Sequence, residues 1–391
     1  MEVTTKVMKI AIDTLSFVPG KRGFGGGERY LTNLITNLAK IDESNEYLLL
    51  VSPDNQDAFQ VEQLNFRKVI CSVSPNSISS RVLYEQLVLP RWLKRHQVDV
   101  VHFPANMLSL LTTTPTVLTV HDLLMRFYSR TWPRAVPLTQ RVLNSFIVEL
   151  SARRATRIIA ISGFTRSELI RYTGIESSRV QVVYHGVPPM PQPTRNDREI
   201  LNSYSLNGRY ILAVGTLNKH KNYELLLMAF DRLKAQEGFK SLKLVLVGRP
   251  GIGYDEFRGT LEKLEHCSDV VIPGFVLPGE LTALYRNAAV FVQPSFYEGF
   301  GFPVLEAMSC GVPVIAANAA SLPEIVGDAG LLFSPVSVEE LVEHLRLLLI
   351  DRDRREKLAL RGRERVRAFT WDKTAQQVLD CYQQAAQMRD K

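Results

Sequence analysis

The sequence predicts an α/β fold made of two doubly wound, Rossmann-like domains that face each other across a cleft. The chain has 391 residues, which is about the length of two domains. Short apolar strands alternate with amphipathic helices, and this alternation is typical of a parallel sheet covered on both faces. A proline-rich stretch near the middle interrupts the alternation, which then starts again.

The first half begins with a predicted strand, Lys9–Phe17, and a glycine-rich loop, Gly20–Gly27. The helix that follows, Glu28–Lys40, carries its apolar residues along one face. The later strands predicted in this half are Tyr47–Val51, Val98–His102, Thr116–Val120, Arg157–Ile161 and Val180–Tyr184.

Four prolines between positions 188 and 193 predict an interdomain linker, because proline fixes φ and disfavours helix in the residue before it. The strands predicted after the linker are Tyr210–Gly215, Leu242–Val247, Val270–Ile272, Val290–Gln293 and Val314–Ala316. The helices predicted there are Tyr223–Lys234, Asp255–Glu265, Pro278–Asn287, Phe302–Ser309, Leu322–Val326, Val338–Leu349 and Thr374–Gln387. We therefore expect an N-terminal domain over residues 1–187 and a C-terminal domain over residues 188–371. We expect the last helix, within residues 372–391, to pack back on the N-terminal domain.

The composition is that of a soluble globular protein, with 46% hydrophobic and 22% charged residues. No apolar run approaches the roughly 18–20 residues that span a bilayer. Residues 1–13 are strand-like and lack the features of a signal peptide. The four cysteines are far apart and form no Cys-x-x-Cys pair, so neither a zinc site nor a disulfide framework is indicated. We expect a cytoplasmic protein.

The positive charge is concentrated in one stretch of the first half. The formal net charge is +7, and residues 81–171 alone contain 13 Lys or Arg against 5 Asp or Glu. Part of this stretch interleaves cationic and aromatic side chains, namely Arg126, Phe127, Tyr128, Arg130, Trp132, Arg134 and Arg141. Such a surface suits nucleic acid or anionic lipid, and a plain solvated face is the alternative. Because no nucleic-acid-binding signature accompanies it, we expect an anionic membrane surface and no nucleic acid.

The strongest chemical signal is the stretch SFYEGFGFPVLEAMSCGVP, residues 295–313. A strand ends in a loop that bears Glu298, Gly299 and Gly301, and a helix follows. Glycines let backbone N–H groups approach a ligand closely, and a helix N-terminus suits a phosphate. Glu306, eight positions after Glu298, lies in the helix among apolar neighbours. Two carboxylates in such a place are suited to sugar or ribose hydroxyls, whereas a solvated helix residue is the alternative for Glu306.

This stretch resembles the Glu–seven residues–Glu motif of glycosyltransferase family 4, the retaining enzymes of the GT-B fold. Other segments are similar to the family in the same order, namely GGGERY, HDLL, ISGFTRSEL, VVYHGV, VGTLNKHKN, ASLPEIVGDAGLLFSP and FTWDKTA. The resemblance therefore covers nearly the whole chain. It implies that Glu298 contacts the donor sugar and that Glu306 contacts the nucleotide ribose, with Gly299, Phe300 and Gly301 in the loop between them.

The loop after the strand Tyr210–Gly215 is the second expected donor site. The resemblance implies that Lys221 pairs with the donor diphosphate, while Thr216 stands where many members have arginine. The second cation is therefore left open between Lys219 and a protonated His220. A surface-charged helix start is the alternative for this loop.

On the N-terminal domain, Gly25, Gly26 and Gly27 suggest a loop that admits an acceptor close to the backbone, and a simple turn is the alternative. The glycine run lacks the third glycine of a dinucleotide fingerprint, so an NAD site is only weakly indicated. His121 ends a strand, and the resemblance gives it a role against the donor sugar. Asp351 and Asp353 form an Asp-x-Asp in a charged helical run, which we interpret as a helix terminus and not as a metal site.

We therefore expect a retaining hexosyltransferase that needs neither metal nor cofactor. The motifs look most like bacterial mannosyltransferases of surface-polysaccharide assembly, which favours GDP-mannose as the nucleotide-sugar donor. The acceptor is expected to be a glycan or a lipid-linked glycan, reached from the inner face of the cytoplasmic membrane by peripheral binding. The alternatives are another hexose from a UDP- or GDP-sugar and, more distantly, an NAD-dependent oxidoreductase or a non-catalytic nucleotide-binding protein.

Overall fold

The computed structural model describes residues 7–17, 26–74 and 76–388. These residues form two compact units. The first unit contains the described residues up to Gly186 together with those from Thr370 onwards, and the second unit is Val187–Phe369.

The first unit contains a seven-stranded sheet in the order β3-β2-β1-β4-β5-β6-β7, and all its pairs are parallel. Its strands are β1 (Lys9–Asp13), β2 (Glu46–Val51), β3 (Phe66–Ile70), β4 (Val100–Phe103), β5 (Thr116–Val120), β6 (Arg157–Ala160) and β7 (Val180–Val182). Its helices are α1 (Gly26–Ile41), α2 (Ile78–Leu83), α3 (Leu89–Arg95), α4 (Leu124–Thr131), α5 (Leu138–Arg154), α6 (Gly163–Thr173) and α15 (Trp371–Gln387). A π-helical turn, Tyr84–Val88, lies between α2 and α3.

The second unit contains a six-stranded parallel sheet in the order β10-β9-β8-β11-β12-β13. Its strands are β8 (Tyr210–Val214), β9 (Lys243–Val247), β10 (Val270–Gly274), β11 (Val290–Gln293), β12 (Val314–Ala317) and β13 (Gly330–Phe333). Its helices are α7 (Asp197–Ser203), α8 (Tyr223–Lys234), α9 (Tyr254–Leu261), α10 (Pro278–Asn287), α11 (Phe302–Ser309), α12 (Leu322–Val326), α13 (Val338–Ile350) and α14 (Arg352–Val366).

Central strands are buried on both faces, which is why most of their residues are apolar. All five residues of β5 and all five of β8 are buried. The expectation of two Rossmann-like sheets is therefore confirmed. Several boundaries differ, however. The first strand ends at Asp13 and not at Phe17, because the Asp13 carboxylate accepts a hydrogen bond from the backbone N–H of Leu15 (2.9 Å) and turns the chain.

The last helix, α15, belongs to the first unit and packs against α1 and the strands β4, β5 and β6. Thr370 caps its N-terminus by accepting a hydrogen bond from the backbone N–H of Lys373. The Thr374 hydroxyl donates to the carbonyl of Tyr184 (2.7 Å), so the helix is tied to the segment that follows β7.

Candidate active site

The second unit brings Lys221 and Glu298 together at the switch point of its sheet. Strand order runs outward from β8 in one direction and from β11 in the other, and ligands of such sheets bind beyond the carboxyl ends of the strands at this reversal. Lys221 follows β8 and Glu298 follows β11, its neighbour. The Lys221 Nζ lies 2.6 Å from the Glu298 Oε1.

Glu298 is a carboxylate held in its charged form. Its Oε1 also accepts hydrogen bonds from Gln293 Nε2 and Ser295 Oγ, each at 2.7 Å. Burial alone would raise the pKa of Glu298. The Lys221 ammonium and the hydrogen bond from Ser295 help to outweigh burial and hold the pKa below its ordinary value. Among the described residues all of these donors lie on Oε1, which leaves Oε2 to accept from a ligand hydroxyl.

The loop that carries Lys221 is fixed by its backbone. Gly215 has φ +148°, and a Cβ there would lie 3.4 Å from Lys221 Cε, so the lysine side chain packs along this glycine. Asn222 takes the left-handed conformation at φ 56° and donates to the carbonyls of Pro294 (3.1 Å) and Pro335 (2.8 Å). These bonds link the loop after β8 to the segments that follow β11 and β13.

The structure bears on the second cation, which the sequence left open. Burial, reinforced by the adjacent Lys221 ammonium, lowers the pKa of His220 to about 3, so this imidazole is neutral at pH 7. Lys219 forms an ion pair with Glu256 and is one quarter exposed. Thr216 is exposed at the start of the same loop.

Glu306 is buried, not a solvated helix residue. It is 4% exposed and accepts a hydrogen bond from the Tyr285 hydroxyl at 2.8 Å. Helix α11 begins directly after Gly301, whose φ of +118° favours glycine. The Phe300 side chain is also buried, with its ring 5.2 Å from that of Phe302, so contact with a ligand would be through its backbone.

His121 lies in the first unit, at the carboxyl end of β5. Its Nε2 lies 2.8 Å from the carbonyl of Pro104 and must therefore carry the proton, because a carbonyl only accepts. Its backbone N–H donates to the Asn106 side chain (2.8 Å). Burial lowers the pKa of His121, so the ring is neutral with the lone pair on Nδ1. The rings of Tyr30 and His185 lie 5.1 and 5.6 Å from it.

The predicted glycine loop is partly wrong. Gly25 lies outside the described residues. Gly26 and Gly27 form the first turn of α1, which begins two residues earlier than predicted. Their N–H groups are among the donors that a helix start leaves unpaired within the helix, so this turn can still approach a ligand.

The aromatic side chains of the basic stretch do not form an outward face. Tyr128 is buried and its ring lies 5.6 Å from that of Trp132, while Arg126 stacks over the Tyr172 ring at 3.3 Å. Arg130 and Arg134 remain exposed.

An exposed apolar stripe lies on helix α5. Four of its side chains are 58–65% exposed, namely Leu138, Val142, Leu143 and Phe146. A groove of about 400 Å³ runs beside three of them.

The Asp-x-Asp is a helix terminus, as predicted. The Asp351 carboxylate accepts from the backbone N–H of Arg354 (2.9 Å) and caps α14. Within the described residues, no cluster of three His, Cys, Asp or Glu side chains could hold a metal ion. No helix in the same residues is both long and apolar enough to cross a bilayer.

Comparison with known proteins then defines the class. Sucrose-phosphate synthase from Thermosynechococcus elongatus superposes with a TM-score of 0.76 at 21% identity, covering 96% of this chain and 98% of that chain. HepE from Anabaena, solved with UDP and glucose, superposes with a TM-score of 0.71 at 20% identity, covering 95% and 98%. At these identities the likeness concerns the fold, and that fold is GT-B.

The sequence comparisons identify the family. Residues 24–190 match the model described as Glycosyltransferase Family 4, and residues 196–365 match Glycosyl transferases group 1. O-antigen chain mannosyltransferase B from Escherichia coli is 32% identical over 304 residues, which cover 76% of this chain and 78% of that protein. The chain belongs to glycosyltransferase family 4, and it is an enzyme that transfers a glycosyl group.

Sequence reasoning missed several residues around the site. Gln293 and Ser295 come just before Glu298, and their polarity at the end of an apolar strand was a usable signal. Tyr285 lies 21 positions before Glu306 on another helix, and no local pattern connects the two.

Proposed function

We propose that the protein transfers mannose from GDP-mannose to a glycan or lipid-linked acceptor, with retention of anomeric configuration. The observation that carries this proposal is the largely buried Lys221–Glu298 pair at the switch point, with Glu306 on the helix that follows. The similarity to an O-antigen chain mannosyltransferase supports mannose as the sugar. Another hexose from a UDP- or GDP-sugar is the alternative.

In this proposal the diphosphate lies between Lys221 and the N-terminus of α11. Negative charge develops on the diphosphate as the glycosidic bond breaks, and both groups stabilise it where it forms, without a metal. The buried Glu306 accepts from a ribose hydroxyl. Glu298 orients the donor sugar through Oε2, and the Nδ1 lone pair of His121 accepts from a sugar hydroxyl.

Donor binding tests the site assignment. We expect Lys221→Ala and Glu306→Ala each to weaken binding of the nucleotide-sugar by roughly 1.5–3 kcal/mol, because each removes a charge-assisted hydrogen bond. Lys243→Ala is the matched control. Lys243 lies at the amino end of β9, whereas the proposed site lies beyond the carboxyl ends of the strands. Titration calorimetry measures all three, and unchanged affinity in both site variants would refute the assignment.

A donor screen tests the sugar. Nucleotide release is measured for GDP-mannose and for other GDP- and UDP-hexoses with one acceptor preparation. We expect GDP-mannose to give the highest kcat/KM. A thermal shift assay separates the transferase from the NAD-dependent alternative, which would leave Lys221, Glu298 and Glu306 without a role. Nucleoside diphosphates should stabilise the protein and NAD should not.

We also propose that the first unit binds reversibly to an anionic membrane to reach a lipid-linked acceptor. The basic stretch supplies exposed Arg130 and Arg134, and α5 supplies the exposed apolar stripe that includes Val142 and Phe146. Each cation near an acidic surface contributes about 1 kcal/mol, screened by salt, and the stripe adds apolar burial in the headgroup region.

Co-sedimentation with liposomes decides this second proposal. We expect binding to vesicles with acidic lipid, weaker binding with added salt, and loss in Arg130→Glu/Arg134→Glu and in Val142→Ser/Phe146→Ser. The control is Arg198→Glu/Arg354→Glu, which reverses two exposed charges on the second unit. Absence of binding to acidic vesicles at low salt would end the membrane proposal and leave the transferase assignment intact.

A further inference from the structure

We infer that Tyr382, on the last helix of the chain, positions His121 through a chain of buried hydrogen bonds that ends at Tyr30. This inference rests on the proposed role of His121 at the donor sugar. If it is correct, α15 helps to position a residue that contacts the donor sugar.

The hydrogen bonds run through four elements of the first unit. The Tyr382 hydroxyl on α15 lies 2.7 Å from His102 Nδ1 on β4. His102 Nε2 lies 2.8 Å from the Thr119 hydroxyl on β5, and that hydroxyl lies 2.9 Å from the Tyr30 hydroxyl on α1. All four side chains are fully buried.

Burial fixes how His102 bonds within this hydrogen-bond chain. It lowers the pKa of His102 to about 3, so the imidazole is neutral and donates from one nitrogen while it accepts at the other. The Thr119–Tyr30 bond can run in either direction, because each hydroxyl can donate or accept. Removing the hydroxyl of Tyr382 or Thr119 takes a hydrogen-bond partner from a His102 nitrogen in a site that excludes water, which is costly.

The hydrogen-bond chain ends at Tyr30, whose ring packs against His121. Thr119 and His121 are two positions apart at the end of one strand and project to the same face of the sheet. The Tyr30 ring meets the His121 ring edge-on, with centroids 5.1 Å apart and an 80° angle. The Tyr30 ring also lies 4.6 Å from the His185 ring, which stacks on Trp371 at 5.8 Å.

His121 is therefore held from two sides. Its Nε2–H bond to the Pro104 carbonyl fixes the tautomer and one edge of the ring. The Tyr30 ring, anchored by its hydroxyl, blocks rotation from the other side. Loss of the anchor would let Nδ1 move out of line with the sugar, which lowers the rate of the chemical step and leaves the donor site on the second unit unchanged.

The test uses variants that remove one hydroxyl at the Tyr382 end or in the middle of the hydrogen-bond chain. We expect Tyr382→Phe and Thr119→Val each to lower kcat by about tenfold, equivalent to one lost hydrogen bond, with the donor KM unchanged. Thr119→Ser keeps the hydroxyl and should retain most of the activity. Tyr210→Phe is the matched control, because its buried hydroxyl makes one 2.6 Å bond to the Leu284 carbonyl in the second unit.

A double-mutant cycle with His121→Ala separates positioning from a general loss of structure. In the His121→Ala background, Tyr382→Phe should have no further effect on kcat. An undiminished effect in that background, or an equal loss in Thr119→Ser and Thr119→Val, would overturn the inference. If His121→Ala alone keeps the wild-type kcat, the proposed role of His121 is wrong. This outcome differs from an undiminished effect of Tyr382→Phe in the His121→Ala background, which would overturn only the positioning role of Tyr382.

Discussion

Replacement of Lys221 by methionine should destabilise the second unit even without substrate. The Lys221 and Glu298 side chains are only 13% and 11% exposed, so the pair is largely shielded from water. Removing one partner of such a pair costs about 3–5 kcal/mol, because the remaining charge loses its compensation. Gln293 and Ser295 still donate to the carboxylate, which places our expectation near 3 kcal/mol.

Urea unfolding with the linear extrapolation measures this loss. Lys219→Met is the matched control. Its partner Glu256 is 61% exposed, so the change should cost at most about 1 kcal/mol. The double variant Lys221→Met/Glu298→Gln should recover most of the stability, because no buried charge remains. A Lys221→Met protein as stable as the control, or a double variant less stable than the single one, would refute the reasoning.

Three other predictions concern packing, pH and metal. A Cβ at Gly186 would overlap the backbone nitrogen of Trp371 and lie 2.6 Å from its Cγ, so Gly186→Ala should cost about 1–3 kcal/mol or more, whereas Gly208→Ala, with its nearest atom at 3.7 Å, should unfold as the wild type does. Burial raises the pKa of Glu85, and Asp13 raises it further, so the folded state keeps a proton that the unfolded chain releases and stability falls as pH rises. Between about pH 5 and about pH 9 the melting temperature should therefore fall less for Glu85→Gln than for the wild type. Parallel curves of melting temperature against pH for the two proteins would contradict this. Activity should survive EDTA, and complete loss that Mg²⁺ or Mn²⁺ restores would overturn the metal-free mechanism.

The second sheet was largely predictable because its central strands are apolar on both faces and its helices have clear starts. The helices Tyr223–Lys234 and Pro278–Asn287 and the strand Val290–Gln293 have the predicted bounds. Two strands were missed, and both lie at sheet edges. β3 has three of its five residues exposed, and β13 is mostly half-buried, so neither gives a continuous apolar run.

The site was predictable where the evidence is local and not where it depends on distant contacts. The proximity of Lys221 and Glu298 follows from adjacent strands at a switch point. The buried partner of Glu306 is Tyr285, and the chain from Tyr382 to Tyr30 spans most of the sequence, so no pattern along the chain indicates either. The orientation of the aromatic side chains in the basic stretch was not predictable for a related reason: a tyrosine in such a stretch can pack inward, and Tyr128 does.

The Lys221–Glu298 ion pair affects how strongly the proposed site would stabilise the diphosphate. An ammonium has three N–H donors, and Glu298 takes one of them at 2.6 Å. A diphosphate can therefore bind Lys221 without breaking the pair, and the ammonium then lies between two anions. Its attraction to the diphosphate is partly offset in the ground state by the nearby carboxylate, and it grows as the leaving group gains charge. Stabilisation that grows along the reaction raises kcat, whereas equal stabilisation of ground and transition states only lowers KM. In the proposed mechanism the Lys221–Glu298 pair therefore places an ammonium that interacts more strongly with the leaving diphosphate than with the bound donor.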